Sequence, residues 1–262
     1  MLVQRIITAI VGIPVIIAGL YFGGVFWKLV VFFLVLGGLW EFSTMGESPV
    51  YPDFLLAFGL SFLLLTYSGN IGKGNIFLIW LVLQIFYYLL RATFHGLCNF
   101  SAAFNLLGVF YVAVPLSFLW SVRAQFGFAW ALFGFLVTWA TDTGAFFGGR
   151  RLGKKQLAPR ISPNKSVEGA GFGLFAALIV GIIFAYLTKK STLLVGGLAI
   201  LLSVFGQVGD LVESAFKRER ALKDSGSLLP GHGGILDRFD SLGFVFPLLY
   251  ILLSLLTRVG FS

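Results

Sequence analysis

The chain has 262 residues, of which 58% are hydrophobic, 17% aromatic and only 11% charged, with a formal net charge of +8. A water-facing domain of this length carries about a quarter charged residues, so this composition argues against a soluble protein. The basic residues sit in short loops between apolar runs, which suits a membrane surface and an anionic substrate and sets nucleic acid aside as a partner.

An apolar run of roughly 20 residues can cross the hydrocarbon core as a helix. Taken in order, the apolar stretches predict about nine helices: Ile6–Phe22, Val25–Phe42, Phe54–Tyr67, Ile76–Leu90, Ala102–Val122, Phe126–Phe147, Gly171–Leu187, Leu193–Val208 and Leu242–Leu256. The expected fold class is all-α, a polytopic integral membrane protein with about nine transmembrane helices. The first stretch, flanked by Arg5, has the look of a signal peptide. No small-x-small cleavage site follows it, so it is read as a retained span. The lone Cys98 cannot form an internal disulfide and reads as a small packing residue. Residues 1–125 form an N-terminal transmembrane region. Residues 126–262 form a C-terminal transmembrane region with two polar loops.

Nine spans place the N-terminus and the connections Glu41–Asp53, Arg91–Ser101, Gly148–Ala170 and Gly209–Asp240 on one side, which then holds 13 of the 19 Lys and Arg residues. That excess makes the side cytoplasmic. The same side takes all 11 Asp and Glu, counting Asp142 at the end of its span. Either the opposite connections are simply shorter, or acidic chemistry is confined to one face.

The first polar loop follows Asp142, an ionisable residue near the end of an apolar span and so a functional candidate. Arg150, Arg151, Lys154, Lys155 and Arg160 come next, and then Ser162-Pro163-Asn164-Lys165-Ser166. Ordinary membrane anchoring explains such cations. So does a polyphosphate ligand, which hydroxyl and ammonium groups suit.

The second polar loop begins as a helix, on which Asp210, Ser214 and Lys217 share a narrow stripe flanked by Glu213 and Arg218. A solvated helix end is the plain alternative. However, Asp210 directly follows an apolar run, where an unpaired carboxylate costs up to about 3 kcal/mol and a cation would offset the cost. Pro230-Gly231-His232-Gly233-Gly234 is a tight turn whose backbone N–H groups could approach phosphate oxygens. Asp237 and Asp240 share a helical face beyond it, although Asp240 could also be the N-cap of the last span. Hard oxygen ligands of this kind suit Mg²⁺, and two His with one Cys do not suit zinc.

The stretch Ser214–Asp240 resembles the C-terminal motif of the phosphatidate cytidylyltransferases, or CDP-diacylglycerol synthases. The match runs through Ser214, Phe216, Lys217, Arg218, Lys223, Asp224, Gly226, Leu229, Pro230, His232, Gly233, Gly234, Ile235, Asp237, Arg238, Phe239 and Asp240. The first loop is similar through Asp142-Thr143-Gly144, Gly148, Arg150, Gly153, Leu157, Ser162-Pro163, Lys165-Ser166 and Glu168-Gly169. It departs at Asn164 and Ser166, where the family more often has Lys and Thr.

The resemblance implies transfer of CMP from CTP to phosphatidic acid, giving CDP-diacylglycerol and pyrophosphate, at the cytoplasmic face of the cell inner (plasma) membrane among membrane lipids. It implies Mg²⁺ held by Asp210 and Asp237, a neighbouring K⁺ and a homodimer. The expected catalytic set is Asp210, Asp237, Asp240, Lys217, Arg218 and Lys223. The expected substrate-binding set is Asp142, Arg150, Ser162, Lys165, Ser214, His232, Gly233, Gly234 and Arg238. His232 could equally stabilise its turn. A CTP-dependent lipid kinase or a cytidylyltransferase for another lipid phosphate would need similar groups. A transporter would instead place polar groups at mid-depth within its spans.

Overall fold

The structure, a computed structural model, describes residues 2–45, 107–229, 231 and 233–259, together with Val82, Leu83, Phe86 and Thr93. Helices α1 (Leu2–Phe22) and α2 (Gly24–Met45) meet at Gly23 and Gly24, whose positive φ values of 61° and 51° suit glycine. A π-helical turn, Val109–Ala113, runs into α3 (Val114–Leu152). Strands β1 (Gln156–Ala158) and β2 (Ser162–Ser166) pair antiparallel. Helices α4 (Val167–Thr188), α5 (Thr192–Glu219), the short α6 (Leu236–Phe239) and α7 (Leu242–Arg258) complete the order.

Among the described residues five helical stretches are long and apolar enough to cross a membrane: Gly24–Met45, Val109–Leu152, Val167–Thr188, Thr192–Glu219 and Leu236–Arg258. The protein is an all-α membrane protein, to which the structure adds one small hairpin in the first polar loop. The 44 residues of Val109–Leu152 would extend about 66 Å as one straight helix, more than twice a hydrocarbon core of about 30 Å. Helical geometry breaks within this stretch at Gly127 (φ 86°, ψ −176°), at the junction of the predicted spans Ala102–Val122 and Phe126–Phe147. The predicted spans Phe54–Tyr67 and Ile76–Leu90 lie outside the described residues, apart from Val82, Leu83 and Phe86, as does Cys98.

The chain forms two compact units, residues 1–121 with 224–236, and residues 122–223 with 237–262. In the first, Trp27, Val31, Val35, Leu39 and Phe42 make a buried stripe along α2. The indole of Trp27 donates to the carbonyl of Leu119 at 3.0 Å.

In the second unit small residues let helices close on one another, as membrane helices do without a hydrophobic drive between them. Cβ atoms at Gly144 and Gly148 of α3 would collide with Phe172 of α4. Cβ atoms at Gly169 and Gly173 of α4 would press on the Ala145 and Thr141 carbonyls. Gly181 closes α4 on Gly196 and Ala199 of α5. A polar ladder ties the same three helices. Thr141 donates to Ser203 at 2.8 Å, and Gln207 donates to Ser203 and to the carbonyl of Ala170, both at 3.4 Å. Phe175, Ile179, Ile183 and Tyr186 of α4 point outward, as a lipid-facing surface requires.

Candidate active site

The polar groups of the second unit collect around the C-terminal half of α5. Asp210, Glu213, Ser214 and Lys217 stand at i, i+3, i+4 and i+7, and so on one face. The ammonium of Lys217 lies 2.6 Å from Oε2 of Glu213 and 2.6 Å from Oδ1 of Asp237 on α6. Glu213 is 1% exposed and Lys217 9%, so one buried cation holds two carboxylates. Ser214 donates to Oδ1 of Asp210 at 3.5 Å, and the other oxygen of Asp210 lies 2.5 Å from Nζ of Lys165 on β2.

Asp142 and Asp240 also act on this centre electrostatically. Asp142 on α3 interacts with Asp210, Lys165 and Arg238. Glu213 feels Asp237 and Asp210 as well as Lys217. Asp240 lies within the field of Asp210, Glu213 and Asp142, and its Oδ1 accepts the N–H of Ser241 at 2.6 Å. Ser241 itself is the N-cap residue of α7, so Asp240 stands one position outside the cap. Gly209 brings Asp240 beside Asp210: a Cβ there would lie 2.9 Å from the Asp240 carbonyl oxygen and 2.7 Å from the Phe244 ring.

Backbone hydrogen bonds shape the hairpin that carries Lys165. Ser166 is the N-cap of α4, and its hydroxyl accepts the N–H of Gly169 at 3.0 Å. Oε2 of Glu168 accepts the N–H groups of Lys154 and Lys155 at 3.0 and 3.2 Å. These bonds fix the chain that bears Arg150, Arg151, Lys154 and Lys155, all exposed. Ser162 opens β2 opposite Ala158.

The expected site residues therefore divide. Asp142, Lys165, Asp210, Ser214, Lys217, Asp237, Arg238 and Asp240 form one electrostatic cluster. Arg218 instead ties the end of α5 to backbone, donating to the carbonyls of Ile161 at 3.2 Å and Leu222 at 2.9 Å. Lys223 and Arg150 are exposed. His232 lies outside the described residues. Gly233 and Gly234 belong to the first unit. There Leu229 donates to the Gly233 carbonyl at 3.0 Å, and Gly233 has a φ of 84°.

The cluster's donors fit a divalent cation. Asp142, Asp210, Glu213, Asp237 and Asp240 face Lys165, Lys217 and Arg238, so full ionisation leaves carboxylate charge in excess. Among the described residues no three His, Cys, Asp or Glu side chains converge closely enough to hold a metal alone. Mg²⁺ commonly takes one or two carboxylates and completes its shell with substrate phosphates and water, a demand that these acids could meet.

Two acidic residues hold more of the structure than their sequence positions suggest. Glu213 stands out only as a flank of the stripe. Glu41, at the end of the second apolar run, carries the same signal as Asp142. In the first unit Glu41 is 1% exposed, and its carboxylate accepts the N–H groups of Ile235 and Leu236, both at 2.9 Å, and the Ser225 hydroxyl at 3.4 Å.

Known proteins are similar to this chain along nearly its whole length. The phosphatidate cytidylyltransferase of Staphylococcus haemolyticus (strain JCSC1435) is 42% identical over 256 residues, spanning 95% of this chain and 98% of that one. Those of Staphylococcus saprophyticus and Staphylococcus aureus (strain COL) are each 41% identical, over 258 and 256 residues, with the same coverage. With a sequence model of the Cytidylyltransferase family matching residues 3–256 as well, the chain belongs to that family.

Proposed function

We propose that this protein is a CTP:phosphatidate cytidylyltransferase, a nucleotidyltransferase of phospholipid biosynthesis. The observation that carries the reading is the ion-pair cluster of Asp210, Glu213, Asp237, Lys165 and Lys217 in a chain similar over 95% of its length to phosphatidate cytidylyltransferases.

In this reading phosphatidic acid keeps its acyl chains in the bilayer and its phosphate at the interface, and CTP arrives from the cytoplasm. A phosphate oxygen of the lipid attacks the α-phosphorus of CTP in line. The bond from the α-phosphorus to the bridging oxygen breaks, and pyrophosphate leaves with that bond's electrons. The lipid phosphate is already ionised near neutral pH, so the protein need not supply a strong base. Its contribution is orientation and fixed charge.

Asp210 and Asp237 would hold Mg²⁺, whose charge offsets that of the CTP phosphates. Lys165 and Lys217 pair with those aspartates, and so stand ready to meet phosphate oxygens at the same place. Ser214 orients Asp210. From the family resemblance alone, Arg238, Lys223, Arg150, Ser162, His232, Gly233 and Gly234 would add further substrate contacts. The family resemblance alone supplies a K⁺ ion and a homodimer. With the nine spans read from the apolar stretches, the charge count along the sequence supports a site facing the cytoplasm in a bacterial plasma membrane.

Incubating the purified protein with CTP, Mg²⁺ and phosphatidic acid tests the reading. The expected products are CDP-diacylglycerol and pyrophosphate in equal amounts. Release of CDP with a diphosphorylated lipid would identify a CTP-dependent kinase instead.

A further inference from the structure

Glu41 is a carboxylate on an apolar helix, buried, and far in sequence from every residue of the proposed reaction. Its partners are unusual. It accepts two successive backbone N–H groups, Ile235 and Leu236, at 2.9 Å each, and the hydroxyl of Ser225 at 3.4 Å. These donors come from the two ends of a single segment, residues 225–236. A Cβ at Gly226 would lie 2.8 Å from Cγ and from Oε1 of Glu41, and a Cβ at Gly234 would overlap both the carboxylate and Ser225. Only glycine at these two places lets the loop close on the acid.

Between its ends the segment turns through Gly231 (φ 76°) and Gly233 (φ 84°), closed by the Leu229–Gly233 bridge. The residue after Leu236 is Asp237, which receives Lys217 at 2.6 Å. The two N–H groups held by Glu41 are thus the last two before the aspartate.

We infer that Glu41 is a positioning residue for the reaction: its carboxylate clasps both ends of the 225–236 loop and so fixes the backbone from which Asp237 projects. Hydrogen bonds between a carboxylate and backbone N–H groups are charge-assisted and roughly twice as strong as neutral ones. An amide at this position would present one acceptor and two unwanted donors to the same N–H groups. Displacing a reacting group by about 1 Å costs on the order of 100-fold in rate.

The inference rests on the proposed cytidylyltransferase reaction for its kinetic test, and a measurement on the amides tests it without that reaction. In Glu41→Gln, kcat should fall about 100-fold, with the KM for CTP within about threefold and the melting temperature in detergent nearly unchanged. Gly226→Ala, which drives a methyl group into the carboxylate, should reproduce the loss. A Glu41→Gln variant turning over within twofold of the wild type would overturn the inference. In the wild-type protein, hydrogen exchange should find the Ile235 and Leu236 amides protected, and Glu41→Gln should accelerate both at least about tenfold. Rapid exchange of those amides in the wild type would overturn the inference even if no variant folds. If the wild type makes no CDP-diacylglycerol but the amide result holds, the proposed reaction fails and the clasp stands.

Discussion

At the residue scale, the acids and bases around α5 differ in what their loss would leave behind. Lys217 is the only cation within 4 Å of both Glu213 and Asp237 among the described residues. Removing it strands the buried carboxylate of Glu213 and takes a partner from Asp237, and breaking a buried pair in this way typically costs about 3–5 kcal/mol. Removing Asp237 leaves Lys217 still paired with Glu213 at 2.6 Å, so the unit keeps a compensated charge. Asp237→Asn should therefore abolish most turnover, by about 100- to 1000-fold, with a melting temperature in detergent close to that of the wild type. Lys217→Met should lower both activity and thermal stability. Equal melting temperatures for the two variants would show that Lys217 is not the hinge of the buried charges.

Much of this was legible in the sequence, because a stripe at i, i+4 and i+7 on a helix needs only periodicity. Asp210, Ser214 and Lys217 fall together on that ground alone. The partner of each is a tertiary matter. Nothing in local spacing says that Lys217 reaches Asp237, 20 residues on, or that Lys165 reaches Asp210. Arg218 shows the limit from the other direction. It has the same charge and nearly the same position as Lys217, yet it turns to two backbone carbonyls. Glu41 lies 184 residues from Ser225, and only the fold reveals what it holds.

At the scale of elements, the site depends on how closely helices approach. The apolar spans were readable from hydropathy: the predicted Val25–Phe42 and Gly171–Leu187 are the observed Gly24–Met45 and Val167–Thr188, and differ only at the ends. The contacts between helices were not readable, because they are set by which glycines face a neighbour. Gly209 is the instructive one, wedged against the carbonyl of Asp240 and the ring of Phe244. A methyl group there cannot be accommodated unless α7 moves away from α5. That movement separates Asp210 from Asp240 without altering any charged side chain. Gly209→Ala should thus reduce kcat by about tenfold or more, as a displacement of several tenths of an ångström would. A control at Gly197, where a Cβ meets nothing within 4 Å, should leave the rate unchanged. Similar rates for the two alanine variants would remove the close approach of α5 and α7 from the account.

At the scale of the whole molecule, the relation between charge and membrane decides where CTP can enter. Both α4 and α5 are long and apolar enough to span. Only three residues, Lys189, Lys190 and Ser191, separate them. If each crosses once, the β1–β2 hairpin before α4 and the segment after α5 must share a side, and Lys189 must lie on the other. This parity holds whatever the number of spans before α3, so it is firmer than the count of nine. Residues 148–170, around the hairpin, and 209–240, around the end of α5, together carry 11 of the chain's 19 Lys and Arg residues, including Arg150, Lys154, Lys155, Arg160, Arg220 and Lys223. The positive-inside rule then predicts that they face the cytoplasm. Single cysteines at Lys154, Lys189 and Lys223, in a Cys98→Ser background, test this with a maleimide that cannot cross membranes. In intact cells the Lys189 position alone should label. In inside-out vesicles the Lys154 and Lys223 positions should label and Lys189 should not. Labelling of Lys154 and Lys223 from opposite sides would separate the two polar loops, leaving Lys165 and Lys217 no common phosphate to meet.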